Sequence, residues 1–112
     1  MIVLTEPAVE QSVYWITVGF LDEDSNAMAP DVATWTLTDL KGNLINARQD
    51  VSIDTPSTEE VVELSGDDLV VDGNDIVQRM LTIEGTYTSV NYGAGKPFKI
   101  QIQFPVEPVI IV

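Results

Sequence analysis

Alternation of apolar and polar residues is clearest in the last third of the chain. The stretch Ile76–Phe104 predicts two strands, Val77–Thr88 and Lys96–Phe104, joined by a glycine-rich turn at Asn91–Gly95. The apolar face of the second strand comprises Phe98, Ile100, Ile102 and Phe104. This period of two is typical of a half-buried strand. Because a lone hairpin is not stable in water, we expect the rest of the chain to supply a second sheet.

Further strands are predicted before this hairpin. They are Val13–Leu21, Val32–Asp39, a short edge strand around Val51 and Ile53, and Thr58–Leu64, with one helical turn near Gly66–Leu69. Turn-forming residues separate them, as at Asp22–Asn26 and Asp39–Asn43. The strand Val13–Leu21 has apolar groups on both faces, with Trp15 opposite Ile16. We therefore expect it to be covered on both sides, once by the other sheet and once by an N-terminal arm or a partner subunit.

Short strands at regular spacing predict an all-β fold, a two-sheet antiparallel β-sandwich with extended ends. Among sandwiches we favour the immunoglobulin-like topology, in which Trp35 would be the core tryptophan of the third strand. The chain forms one domain, residues 1–112, with an arm at 1–11, the sandwich at 12–104 and a tail at 105–112. The predicted core comprises Ile16, Val18, Phe20, Trp35, Leu37, Leu81, Ile83, Ile100 and Ile102.

Composition restricts the function. Eighteen acidic residues against five basic ones give a net charge of −13, which repels nucleic-acid backbones and anionic membrane surfaces. The chain contains neither cysteine nor histidine, so zinc sites of the usual kind, thiol chemistry and imidazole bases are excluded. The start Met1–Leu4 lacks a basic flank and a long apolar run. We therefore predict no signal peptide and no membrane span, with synthesis in the cytoplasm.

Candidate chemistry is sparse. Asp22, Asp24 and Asn26 have the spacing that opens a calcium loop, but Ala27 stands where that loop needs glycine and Ala33 where it needs glutamate. We expect an acidic turn without a metal. The carboxylate pairs Asp67/Asp68 and Asp72/Asp75 are interpreted as solvated loop tips rather than an acid–base pair. No catalytic residue and no cofactor is predicted, and the chain is not expected to be an enzyme.

Both ends of the chain carry apolar residues that the core does not obviously need. Pro105 and Pro108 are expected to stop regular pairing after Phe104, and Val109–Val112 is a run of branched aliphatic residues. That run either adds an edge strand to its own sheet or is covered by another chain. The predicted assembly interface comprises Met1, Ile2, Val3, Leu4, Trp15, Val106, Val109, Ile110, Ile111 and Val112. Cutting after Phe104 is expected to leave a folded domain that no longer assembles.

Four stretches of the chain form a recognisable set of strand and turn signatures. They are WITVGFLDEDSN at Trp15–Asn26, ATWTLTD at Ala33–Asp39 with Gly42-Asn43 and Ile45-Asn46 after it, LSGDDL at Leu64–Leu69 and LTIEGTY at Leu81–Tyr87. Together they resemble small immunoglobulin-like virion proteins of tailed bacteriophages. The resemblance covers most of Val13–Phe104. It implies a structural role in the virion, as a decoration (cement) protein on the capsid or as an adaptor at the neck or tail. The implied partners are the major capsid protein, other virion subunits and further copies of the chain, for example in a trimer.

A second class of function stays open beside the structural one. An adhesion module would bind a host glycan or receptor through its loops, and such sites usually present exposed aromatic side chains. Tyr92 is the obvious loop aromatic. Assembly instead needs apolar ends and unpaired sheet edges, which the sequence supplies.

Overall fold

The computed structural model describes residues 1–109 and contains two β-sheets. The strands are β1 (Ile2–Val3), β2 (Ala8–Val9), β3 (Val13–Gly19), β4 (Val32–Asp39), β5 (Val51–Ser52), β6 (Glu59–Ser65), β7 (Val77–Ser89) and β8 (Gly93–Glu107). One 3-10 turn, Gly66–Leu69, follows β6. The all-β prediction is confirmed.

The larger sheet has the strand order β1-β8-β7-β4-β5, and β2 also pairs with β8. The predicted hairpin is its centre, but it is longer than expected. Ser89 pairs with Gly93, so the turn is Val90–Tyr92, and β8 continues to Glu107. Within residues 1–109 the smaller sheet consists of β3 and β6, paired antiparallel from Val13↔Ser65 to Gly19↔Glu59. Residues Leu44–Asn46 form no strand, and only an isolated bridge joins Leu44 to Thr38.

The buried faces of both sheets form one hydrophobic core. The predicted core residues are buried as expected, except Ile100, which is half-buried at its margin. Two aromatic contacts join the sheets: the rings of Tyr14 and Phe104 stack at 5.3 Å, and Phe20 meets Phe98 edge-on at 5.6 Å. The alternation in β3 and β8 therefore indicated the inward faces correctly.

The N-terminal arm belongs to the larger sheet of its own chain. Ile2 pairs with Ile102 and Ala8 with Val106, both in parallel orientation, and Ala8 is buried in the core. The predicted antiparallel sandwich with an extended arm at 1–11 is wrong in this respect, because the arm adds parallel pairs to β8. Its two strands are only two residues long each, too short to show an alternation, so the pairing left no clear pattern in the sequence.

The C-terminal prolines do not stop pairing at Phe104. Pro105 lies inside β8, opposite Gln78. Leu4 N–H donates to the Gln103 carbonyl and Glu10 N–H to the Glu107 carbonyl, so Pro105 faces the gap between β1 and β2, where no donor is needed. Val106 is fully buried, with 0% of its surface exposed. The expected tail boundary at residue 105 was therefore wrong, and so was the place of Val106 in an assembly interface.

Candidate assembly surface

The outer face of the β3–β6 sheet is open, and the half of it that β3 contributes carries no charged side chain. Trp15 is 62% exposed there, and Val13 and Val61 are also exposed. The Trp15 indole N–H donates to Glu63 Oε1 on the neighbouring strand at 3.0 Å, which links the two side chains across the sheet. Among residues 1–109 nothing covers this face, so the expected second cover by the N-terminal arm was wrong. A partner subunit as the cover stays a prediction.

One edge of β3 carries backbone groups that no described strand pairs. Gly66 N–H donates to Ser12 O, and Phe20 N–H donates to Thr58 O, both at 3.0 Å. Because polar groups alternate along an antiparallel strand, the even-numbered residues face β6. The residues whose N–H and C=O face the open edge are Val13, Trp15, Thr17 and Gly19. These are also the residues whose side chains lie on the outer face.

A groove of about 660 Å³ runs beside this edge. Its far wall is the N-terminal segment, including Ile2 and Leu4, and Ile102 of β8 also lines it. The Tyr14 hydroxyl donates to the Glu6 carbonyl at 2.7 Å, which ties the two walls together. Burial raises the pKa of the Tyr14 hydroxyl, and the Glu6 carboxylate raises it further. The hydroxyl therefore stays protonated and acts as a donor at neutral pH.

The opposite edge, on β6, has a different character. Its outward residues Glu59 and Glu63 flank Val61. Charged side chains on an edge strand discourage another strand from pairing with it. The outward residues of β3, in contrast, carry no charge. The small sheet therefore has one guarded edge and one open edge.

The structure brings together only part of the predicted interface. Ile2, Leu4 and Trp15 line the same groove, while Met1 and Val3 are exposed on and beside β1. Val109 is exposed, and its N–H donates to Glu10 Oε1 at 3.1 Å. Ile110, Ile111 and Val112 lie outside the described residues. Val106 is removed from the set because it is buried.

The acidic turn Asp22–Asn26 packs against the tip of the β7–β8 hairpin. Asp22, Glu23 and Asp24 place carboxylate oxygens within 4.8 Å of one another. Each carboxylate already has a donor, however. Asp22 Oδ1 accepts hydrogen bonds from the N–H groups of Asp24 and Asn26, both at 2.9 Å. The Ser89 hydroxyl donates to the Glu23 carboxylate. Asp24 Oδ2 accepts from the Asn91 amide at 3.0 Å. The hydrogen bonds to these three carboxylates therefore hold the turn together and join it to the hairpin tip.

Tyr87 lies near this acidic turn and is buried in the sheet. Burial raises the pKa of its hydroxyl, and the carboxylates of Glu23, Asp22 and Asp24 add to the shift. The residue therefore stays neutral. Tyr92 and Val90, at the very tip, are strongly exposed, at 69% and 95%.

Asp68 was placed on a solvated loop tip by the sequence interpretation, and this was wrong. Its side chain is buried, with 1% exposed, and accepts hydrogen bonds from Asn46 Nδ2, Arg48 Nε and the Ser65 N–H. The signal that could have found it is the Ser65-x-x-Asp68 spacing, which is that of a helix capping box. Its role is structural, since it lies away from the groove.

Comparison with known proteins adds no relative. No protein-family model matches the chain, and neither a curated protein nor a solved structure matches it. In the described part of the chain, no helix has the length and apolar character needed to cross a membrane.

Proposed function

We propose that this chain is a non-enzymatic structural protein of a tailed-bacteriophage virion, and that it decorates the capsid. Its partners are the major capsid protein, other virion subunits and further copies of itself. The observation that carries the proposal is the open β3 edge, with a groove beside it that both apolar and polar residues line, on a domain that is strongly acidic. Such a surface suits strand or side-chain contacts with a protein partner.

The strand order supports an immunoglobulin-like assignment. Such domains pair their second and fifth strands in one sheet and their third, sixth and seventh strands in the other. Here β3 pairs with β6, and β4, β7 and β8 pair together. Trp35 of β4 packs in the core between these sheets, as the tryptophan of that topology does. The assignment agrees with the resemblance to small phage virion proteins.

The charge distribution supports association with a specific partner. A net charge of −13 disfavours non-specific association, so contacts between copies need a specific surface. The exposed side chains of Met1, Ile2 and Val3 in the arm and of Trp15 in β3 carry no charge. They therefore offer contacts that need only a matching apolar surface. An adaptor at the neck or tail would use the same contacts, so it is the alternative within this class.

One observation favours the adhesion alternative. The β7–β8 hairpin ends in a tip where Tyr92 is exposed. Asp24 braces this tip through its bond to Asn91. An exposed aromatic ring on a braced tip could stack on a sugar or a receptor side chain. This alternative predicts that Tyr92→Ala abolishes binding to host cells, whereas capsid decoration predicts that it has no effect on particle binding.

The test uses particles of the phage that encodes this chain, produced without its gene. Purified chain is added, the particles are sedimented, and the bound chain is quantified by mass spectrometry. Decoration predicts saturable binding in proportion to the major capsid protein. Binding in the small number of a single ring would support the adaptor instead. Absence of binding to any part of the particle would contradict a role in the virion.

A further inference from the structure

We propose that the groove beside β3 is a strand acceptor, and that its occupant is the C-terminal segment Val109–Val112 of a second copy. The inference rests on the proposed function in so far as it explains how copies join one another. It assigns the open edge a partner from the same chain. The two-stranded sheet β3–β6 would thereby become three-stranded.

The acceptor has both parts that strand addition needs. Backbone N–H and C=O groups of Val13, Trp15 and Thr17 face the groove unpaired by any residue of 1–109. Apolar side chains, Ile2 and Leu4 among them, line the groove and can receive alternate side chains of an added strand. Main-chain hydrogen bonds then supply affinity, and the lined wall supplies specificity.

The shape of the groove decides which kind of strand fits. The β3 edge bounds it on one side and the N-terminal segment on the other. A strand that is already part of a second sheet cannot enter between two walls. A single extended segment can. This argues against β3-to-β3 pairing between two copies and for insertion of a terminal segment.

Val109–Val112 fits this description. Its four side chains are branched and uncharged, which favours an extended strand. None of these side chains is acidic, so none of them adds repulsion beside Glu6, which lines the groove. Three residues of the segment follow Val109, outside the described structure.

The position of Val109 favours a second copy over the same chain. β8 and β2 run parallel, and the Val109 N–H bonds to Glu10 just after β2. The chain then turns back between Val9 and Ser12 to begin β3. At Val109, the last described residue, the chain has therefore passed the end of β2 and runs away from the groove of its own domain. The groove of a neighbouring copy has no such restriction.

Disulfide trapping tests the pairing, because the chain has no cysteine of its own. We would mix Val13→Cys or Thr17→Cys chains with isotopically labelled Ile110→Cys or Ile111→Cys chains and oxidise them mildly. The expected product is a mixed dimer joining one labelled and one unlabelled chain. Val61→Cys, on the outward face of the guarded β6 edge, is the matched control and should give little product.

Proline substitution tests the hydrogen bonds themselves. The Thr17 N–H faces the groove, so Thr17→Pro removes an edge donor without touching the β3–β6 ladder. We expect association, measured by sedimentation, to weaken about ten-fold or more. Val61→Pro removes the equivalent donor on the β6 edge and should leave association unchanged. Melting curves establish that both variants are folded.

Three results would overturn the inference. One is a disulfide within a single chain in a Thr17→Cys, Ile111→Cys double variant, which would place the tail in its own groove. The second is equal trapping by Val61→Cys. The third is tail-dependent capsid binding by a chain that stays monomeric and gives no mixed dimer, which would make the occupant a strand of another virion protein. This last result would leave the proposed function intact, whereas trapped dimers that bind no particle would contradict the proposed function alone.

Discussion

Asp68 Oδ1 accepts a hydrogen bond from Arg48 Nε at 2.8 Å, which fastens the 3-10 turn after β6 to the connection between β4 and β5. The same oxygen accepts from Asn46 Nδ2 at 2.8 Å. The Arg48 guanidinium also lies over the Trp35 ring, 5.9 Å from its centre. One buried carboxylate therefore joins parts of the chain that are twenty residues apart in sequence.

Acid should weaken the fold through Asp68. Burial alone would raise the pKa of this carboxyl, but hydrogen bonds from Arg48, Asn46 and the Ser65 N–H outweigh it and hold the pKa below its ordinary value of 3.8. An acid with a lowered folded-state pKa stabilises the fold above the unfolded pKa, and this contribution is lost as the pH falls through the folded pKa. We expect the free energy of unfolding, measured with urea, to fall below about pH 4.

The matched variants separate Asp68 from the other carboxylates. Asp68→Asn should destabilise the chain at neutral pH by about 2–3 kcal/mol, because it puts an amide donor against the Ser65 N–H and removes a charged acceptor. It should also flatten the acid dependence. Asp67→Asn, on the exposed neighbour, should change neither quantity appreciably. Equal acid profiles for wild type and Asp68→Asn would contradict the assigned role.

Gly85 is required by close contact between two strands. A Cβ at this position would lie 1.8 Å from the Val32 carbonyl oxygen, which is backbone and cannot move aside. We expect Gly85→Ala to cost about 3 kcal/mol of unfolding free energy or to prevent folding. Gly19→Ala is the control, because a Cβ there meets nothing within 4 Å. Similar denaturation midpoints for the two variants would show that β4 and β7 are not this close.

The close contact at Gly85 shows which features of the fold could be predicted from the sequence and which could not. Alternation indicated the inward faces of β3, β4 and β8 because each of these strands has one buried and one more open side. A glycine in a strand signals a close approach, but the approaching group belongs to β4, fifty residues earlier. Sequence spacing does not say which backbone will lie opposite. The register of the sheet shows which backbone this is, because it places Ala33 opposite Gly85.

The open edge of β3 could not be predicted either, because the sequence does not show which segments pair. The sequence correctly placed Trp15 on the face of β3 opposite to the core-facing Ile16. Whether the N-terminal arm would cover it depended on where the arm paired, and two-residue strands such as β1 have no readable period. Pro105 favoured a break after Phe104, yet its missing N–H coincides with a gap between β1 and β2.

Replacing the two tryptophans by alanine should change the free energy of unfolding by very different amounts. Trp35 is 8% exposed and packs in the core, so Trp35→Ala should cost about 3–5 kcal/mol through lost burial and the cavity it leaves. Trp15→Ala should change the stability of the monomer by less than about 0.5 kcal/mol, because Trp15 lies on the open face. Urea unfolding at a concentration where the chain is monomeric checks both. A large cost at Trp15 would mean that its face is covered.

The turns Asp22–Asn26 and Asp39–Asn43 have the same hydrogen-bond pattern. In each, the aspartate Oδ1 accepts the N–H groups two and four residues later, and the aspartate N–H donates to the asparagine carbonyl. The fourth residue has a positive φ in both, 62° at Ser25 and 90° at Gly42. Gly42→Ser should destabilise by about 1 kcal/mol, whereas Ser25→Gly should stabilise by about 0.5 kcal/mol, since relief of strain exceeds the entropy cost.

Calcium should not affect the first of these turns. Asp22 already uses Oδ1 for two backbone donors, so a cation would have to displace bonds that hold the turn closed. We expect millimolar calcium to leave the melting temperature of the wild type unchanged. A rise of several degrees that is absent in an Asp22→Ala, Asp24→Ala variant would contradict this and establish a metal site.

Truncation at two positions separates folding from assembly. Ending the chain after Phe104 removes Val106, which is fully buried, and takes away the partner of β2. We expect this variant to lose about 2 kcal/mol from the side chain alone, and more from the lost pairing. Ending it after Pro108 keeps β8 whole, so its melting curve should match that of the wild type.

The variant that ends after Pro108 should nevertheless fail to associate, because it lacks Val109–Val112. Sedimentation of both variants beside the wild type, together with binding to particles lacking the chain, measures the difference. If the variant that ends after Pro108 is stable and still self-associates and decorates capsids as the wild type does, the segment has no role in assembly. If it loses stability as much as the variant that ends after Phe104, the segment belongs to the fold of its own domain.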